Sequence, residues 1–177
     1  MEAHRLAKDD AFRTEPWSPI SGAERRQFPG LSYFAPDERW RVNAALTRLK
    51  EGRAFEMATS TGEPRLQLRY GRLDLATPEG PASLFAYRDA ADAQGMAHAG
   101  DGPLFLPFRD LTSGQQTYGA GRYLDLVEVA SDTIEVDFNL AYSPYCAYSE
   151  AYSCPLPPAE NWLKIAVRAG ERSFGAP

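Results

Sequence analysis

From Trp40 onward the hydrophobic positions alternate with polar or small ones: Trp40, Val42, Ala44 and Leu46, then Phe55, Met57 and Thr59, then Leu66, Leu68 and Tyr70. A period of two places one side of an extended chain in a core and the other in water, so each run predicts a half-buried antiparallel strand. Ser60, Thr61 and Gly62 supply a hairpin turn between two of these runs. After Gly71 the alternation resumes out of phase at Leu73 and Leu75, which predicts a bulge or sharp bend at that glycine. Further strands are predicted at 84–87, 104–108, 123–129, 133–139 and 162–168. In 133–139, Ile134, Val136 and Phe138 share one face, and Glu135, Asp137 and Asn139 the other. In 162–168, Leu163, Ile165 and Val167 form the core face. The polar, alanine-rich stretch 88–102 reads as a loop.

The first 35 residues follow a different pattern. Ala3, Leu6, Ala7 and Ala11 fall on one face of a short amphipathic helix over 2–13, with Arg5, Lys8 and Asp9 elsewhere. Ser21 and Glu24 have capping-box spacing for a second short helix that Gly30 can end, and Pro36 with Asp37 turns the chain into its main body. The predicted fold is mainly β: a single antiparallel sandwich or barrel of about seven to eight short strands with one or two short N-terminal helices. The 177 residues fit one domain, with 1–35 packed as a helical segment on a β body at 36–177.

Composition narrows the partners. Hydrophobic residues make up 44% and charged residues 24% of the chain, the balance of a globular protein rather than a disordered one. The net charge is -5 and the 19 basic residues are scattered. A phosphate backbone needs clustered Lys and Arg, so neither nucleic acid nor an anionic membrane surface is an expected partner. No apolar run approaches the roughly 18 residues of a membrane span, and the start MEAHRLAKDDAFR lacks a signal-peptide pattern, so a cytoplasmic location is expected. There Cys146 and Cys154 are expected to be thiols.

The chemistry concentrates late in the chain, in FRDLTSGQQTYGAGRYLDL from Phe108 and DFNLAYSPYCAYSEAYSCPLPPAEN from Asp137. Tyr118, Tyr123, Tyr142, Tyr145, Tyr148 and Tyr152, six of the nine tyrosines, lie here with both cysteines. Gly119 and Gly121 resemble part of a dinucleotide-binding pattern, but the continuation YLDLVEV is strand-like and no third glycine follows. Both glycines are expected in a turn requiring a positive backbone angle, and no cofactor is expected.

A hairpin of 123–129 with 133–139 through Ala130, Ser131 and Asp132 would bring Arg122 or Tyr123 near Asp137 or Asn139. Arg122 then either forks onto a carboxylate that pins the hairpin, or faces an anionic or carbonyl-bearing ligand. The aromatics of 138–152, interrupted by Pro144, read as a structured loop folded back over the sheet. That loop is either a secondary aromatic core or the wall of a pocket. The cysteines are eight positions apart, which matches no close metal or redox spacing. With His98 the only histidine outside the N-terminal helix, no metal site is expected, and buried structural thiols are the default.

The run DLTSGQQTYGAGRYLDL, then DFNLAYSPYCAY, then YSCPLPPAENWLKIAVRAGE, with FPGLSYFAPDERW and LFLPFRDLTSG upstream, resembles the signature of the bacterial domain-of-unknown-function family 1684. The resemblance spans nearly the whole chain. It implies a soluble single-domain protein and transfers no catalytic residue. The functional expectation is therefore a site that binds or hydrolyses a small polar or anionic molecule, lined by 108–123 and 137–161. Its candidate residues are Asp110, Tyr118, Arg122, Tyr123, Asp137, Asn139, Tyr142, Tyr145, Cys146 and Asn161, with Asp110 and Asp137 as charge or general-base capacity. The alternative is a protein-interaction module using the Tyr- and Pro-rich 142–158.

Overall fold

A computed structural model describes residues 1–49, 54–90, 103–127 and 130–175. Among them, seven strands form one curled, antiparallel half-barrel sheet: β1 (Arg41–Arg48), β2 (Ala54–Met57), β3 (Arg65–Thr77), β4 (Gly80–Asp89), β5 (Leu104–Phe108), β6 (Arg122–Leu126) and β7 (Thr133–Asp137). The order is β6-β5-β4-β3-β1-β7, with β2 paired to the first half of β3. The fold class is mainly β, as the alternation predicts. Of the loop expected at 88–102, Arg88 and Asp89 belong instead to β4, and 91–102, with His98, lie outside the described residues.

The expected bulge is present. Pairing of β3 with β4 slips between Arg69 and Gly71, leaving Tyr70 unmatched. Gly71 has no room for a side chain, because a Cβ there would sit 2.8 Å from Leu46 Cδ1 and 3.0 Å from the Thr47 carbonyl. The extra residue reverses the phase of the strand. Beyond it Leu73 and Leu75 face the core with Leu84 and Ala86, whereas before it Gln67 and Arg69 share the opposite face with Tyr87. That inversion puts polar side chains on the sheet's second face.

The main core lies on the inner face, where Trp40, Leu46, Leu73, Leu84, Leu104, Leu106, Phe108, Leu124, Val136 and Phe138 are all buried. Three expectations are corrected. First, 162–168 is not a strand, although Leu163 and Val167 do enter the core and Ile165 packs against it. Its backbone is bonded elsewhere: Leu163 N donates to the Arg109 carbonyl, Leu111 N to the Ile165 carbonyl, and Val167 N to the Asp110 carboxylate. Second, β6 and β7 form no hairpin. β6 pairs β5 and β7 pairs β1, at opposite edges of the sheet. The gap between them is bridged after β7, where Tyr142 pairs with Tyr123.

Third, the N-terminal helix α1 (Glu2–Thr14) docks through a charged face. Arg5, Lys8, Asp9 and Phe12 turn inward, and Ala3, Leu6 and Ala7 face water. Arg5 donates to the Phe34 carbonyl and lies over the Tyr33 ring, Asp9 accepts from Leu31 N, and Lys8 pairs with Glu171 at 2.6 Å. Phe12 supplies the apolar anchor against Phe28 and Tyr148. The capping box forms at Ser21 and Glu24 on α2 (Gly22–Arg25), but Gly30 does not end that helix. Gly30, at φ +109°, instead admits Asp9, whose Oδ2 would be 2.7 Å from a Cβ.

Of the two glycines expected at positive φ, Gly121 is there at +112° and Gly119 is not. A Cβ on Gly121 would lie 2.5 Å from the Phe108 carbonyl oxygen. Gly121→Ala is expected to cost about 2–3 kcal/mol through backbone strain plus overlap. Urea denaturation measures it, and a loss below about 0.5 kcal/mol, the range of a neutral surface change, would refute the close approach.

Candidate functional site

The expected site residues divide into two groups. Arg122 is 1% exposed and faces the inner side of the sheet. Its guanidinium pairs with Asp110 at 3.1 Å, donates to the carbonyls of Val167 at 2.8 Å and Glu171 at 3.2 Å, and also bonds that of Ala169. Burial pulls its pKa below the ordinary value and Asp110 opposes that pull. Asp110 is equally committed: one oxygen takes Arg122 and Val167 N, the other Thr112 N and Thr112 Oγ1. The expected pairing of Arg122 with Asp137 is thus replaced by a clasp that fastens β6 to 167–171. The strand order is the reason, because it places β6 and β7 at opposite edges.

Asp137 caps the 3-10 turn Phe138–Leu140 and lies 3.6 Å from Arg41. Asn139 holds both backbone groups of Asp37, at 2.9 and 3.0 Å. Asn161 holds Phe85 N and the carbonyls of Phe85 and Pro107. Asp110, Arg122, Asp137, Asn139 and Asn161 are therefore framework ties, each bonded within the protein.

The other group gathers at a cleft of about 650 Å³ on the outer face of the sheet. Its floor is β3 to β6, through Gln67, Asp89, Phe105, Tyr123 and Asp125. One wall is the loop carrying Tyr142, Pro144, Tyr145, Tyr152 and Cys154; the other side is closed by His4 and Lys8 of α1. The loop folds over the sheet as expected. Tyr142 donates to Asp125 at 2.8 Å, Tyr123 to the Pro155 carbonyl, and Tyr145 meets Tyr152 edge-on at 5.2 Å between centroids. Burial raises the pKa of Tyr123 and Tyr142 well above the usual phenol range, so both stay neutral donors. Tyr118 stands behind the loop, its hydroxyl 3.6 Å from Cys146 Sγ.

Gln67 is the residue the sequence reading overlooked. It is 4% exposed, its amide N–H reaches Asp89 at 3.2 Å, and its Oε1 has no hydrogen-bond partner among the described residues. Phe105 and Asp125 were also overlooked. A signal for them exists: 104–108 is apolar at every position, which marks a strand covered on both faces. Among the described residues no group of three or more His, Cys, Asp or Glu side chains gathers to hold a metal ion. No helix among them is long and apolar enough to cross a membrane.

Residues 26–172 match the model of a protein family described as of unknown function, DUF1684. The solution NMR structure of an uncharacterised protein of Haloarcula marismortui is 42% identical and superposes with a TM-score of 0.73, over 97% of this chain and 91% of that one. No curated protein matches the chain.

Proposed function

The chain belongs to the DUF1684 family, and we propose that it binds a small polar molecule in the outer cleft, one with a flat apolar face, a hydrogen-bond donor and an anionic group. The observation that carries this reading is the buried, unpartnered Gln67 Oε1 within an aromatic-walled cleft of about 650 Å³. A buried acceptor without a partner costs about 1–3 kcal/mol, and a bound donor would recover it. The volume is that of a small-molecule site, where rings give area and a few polar groups give orientation. Arg65, with one N–H committed to the Ser153 carbonyl, supplies a cation for the anionic group.

Hydrolysis has less support, since Asp110 and Asp137 are bonded within the framework. The protein-contact reading of 142–158 also has less, because the hydroxyls of Tyr142 and Tyr148 are already bonded within the protein, to Asp125 and Glu171. A cytoplasmic setting, where both free cysteines stay reduced, is part of the same proposal.

A thermal-shift screen against a panel of small organic acids tests the site. A ligand at about 100 times its Kd is expected to stabilise the parent by about 2.7 kcal/mol, raising Tm by roughly 5–10 °C. Gln67→Leu and Arg65→Ala, both outside the core of the inner face, should each lose most of that rise. A rise of equal size in both variants would place the ligand elsewhere, and no rise with any acid would remove the support for an anionic ligand.

A further inference from the structure

We propose that Cys146 and Cys154 form a hydroperoxide-reactive dithiol, in which Cys146 is oxidised first and Cys154 resolves it to an intramolecular disulfide. The inference is independent of whether the cleft binds a metabolite.

The residues converge on this chemistry from three sides. Cys154 Sγ accepts the backbone N–H of Cys146 at 3.3 Å, so it rests against the main chain of the residue it would bond. The two thiols also interact directly, and rotation about the single Cα–Cβ bond of Cys146 sets the distance between the sulfurs. Tyr118 directs its hydroxyl at Cys146, 3.4 Å from the carbonyl oxygen and 3.6 Å from Sγ, and when turned to the sulfur it stabilises a thiolate. Ser60 fixes the other partner, its Oγ accepting from Cys154 N at 3.1 Å while Ser60 N donates to the Cys154 carbonyl at 2.9 Å.

Access differs between the two in the sense the roles require. Cys146 is partly exposed, whereas Cys154 is 7% exposed and lines the cleft wall. The acidities agree with this order: Cys154 foremost, then Tyr118 and Ser60, pull the Cys146 thiol down to about 6 against the effect of burial, and Cys154 is pushed up. A lowered pKa gives Cys146 thiolate character, the form that attacks a peroxide.

In the first step the Cys146 thiolate attacks one peroxide oxygen. An S–O bond forms, the O–O bond breaks, and the departing alkoxide or hydroxide takes a proton from water, leaving a sulfenic acid. In the second, the Cys154 sulfur attacks Cys146 sulfur. The S–S bond forms, the S–O bond breaks, and the hydroxyl leaves as water with the Cys154 proton. The dithiol loses two electrons and the hydroperoxide gains them. The disulfide would fasten the loop that supplies Tyr145, Tyr152 and Cys154 to the cleft, so oxidation would alter the cleft wall.

The test treats the reduced full chain with a few equivalents of hydrogen peroxide and follows intact mass and thiol count. Expected are loss of two hydrogens and both thiols, a peptide joining 146 to 154, and reversal by dithiothreitol. The rate should exceed that of free cysteine by about tenfold or more at pH 6.5, where an ordinary thiol of pKa about 8.5 is almost wholly protonated. Cys154→Ser should stop at a Cys146 sulfenic acid that dimedone traps, and Cys146→Ser should lose the fast phase. Tyr118→Phe should slow oxidation and raise the pH midpoint of Cys146 alkylation.

Partial alkylation of the parent with iodoacetamide is a second measurement that needs no variant, and Cys146 should label first. Oxidation at the rate of free cysteine, disulfides only between molecules, or preferential labelling of Cys154 would each overturn the proposal.

Discussion

Arg122→Ala is expected to cost about 4 kcal/mol of stability, the range seen when one partner of a buried ion pair is removed. The change leaves the Asp110 carboxylate buried with no cation and strips a donor from each of the Val167, Ala169 and Glu171 carbonyls. A domain stable by only about 5–15 kcal/mol loses a large share of its margin. Because these bonds hold 167–171 against β6, loss of the clasp should expose the inner core at that end. Arg122→Lys keeps the charge but not the fork, and should retain about half of the stability lost by alanine. Equilibrium urea denaturation at pH 7 reads all three proteins. An alanine variant within about 1 kcal/mol of the parent, the worth of an exposed pair, would show that the clasp is not structural.

The second large effect is pH-dependent. Glu171 is fully buried, touched by Lys8 and the Tyr148 hydroxyl, and burial raises its pKa above the ordinary 4.5. Below 4.5 the carboxyl is neutral folded and unfolded alike, and Glu171 buries no charge. As pH rises through the folded pKa the group must ionise in place, and the stability of its neutral form is lost. Lys8, 18% exposed, opposes that loss. Lys8→Met should therefore raise the folded pKa of Glu171 further, costing about 3 kcal/mol at pH 8 and less than about 1 kcal/mol near pH 4. Adding Glu171→Gln should recover part of the loss at pH 8, since the buried charge is gone. Stability curves at the two pH values decide it, and equal losses at both would show that Glu171 carries no charge penalty.

Both effects sit where the sequence reading was least informative. Alternation located the strands and the phase break at Gly71, because a period of two is a property of neighbouring residues and needs no knowledge of partners. The same reading placed Leu163 and Val167 in the core, yet 162–168 is not a strand, since the Arg122 and Asp110 pair takes both backbone groups of Val167. On α1, apolarity pointed to Ala3, Leu6, Ala7 and Ala11, of which only Ala11 is half-buried, because the body offers Glu171, Tyr33 and Phe34 at the docking surface. A charged face therefore packs.

The candidate site shows the same division. Tyr142 and Tyr145 were legible as ring-bearing wall, because aromatics crowded into a Pro-interrupted segment must pack on something, whereas Tyr118, expected beside them, stands behind the loop. Gln67, Phe105 and Asp125 were not, because each owes its place to strands far apart in the chain.

What the sequence by itself determined is a β body, the glycines at 62, 71 and 121, and a tyrosine-rich loop laid over it, all encoded within a few residues of one another. The tertiary structure alone decided that Arg122 meets Asp110 rather than Asp137, that α1 docks by charge, and that Gln67 is buried with no donor for its Oε1. The first follows from strand order, the third from the bulge at Tyr70, and the second from the groups that Tyr33, Phe34 and Glu171 present to the helix. Sheet pairing is chosen by burial summed over the whole chain, which no local pattern contains.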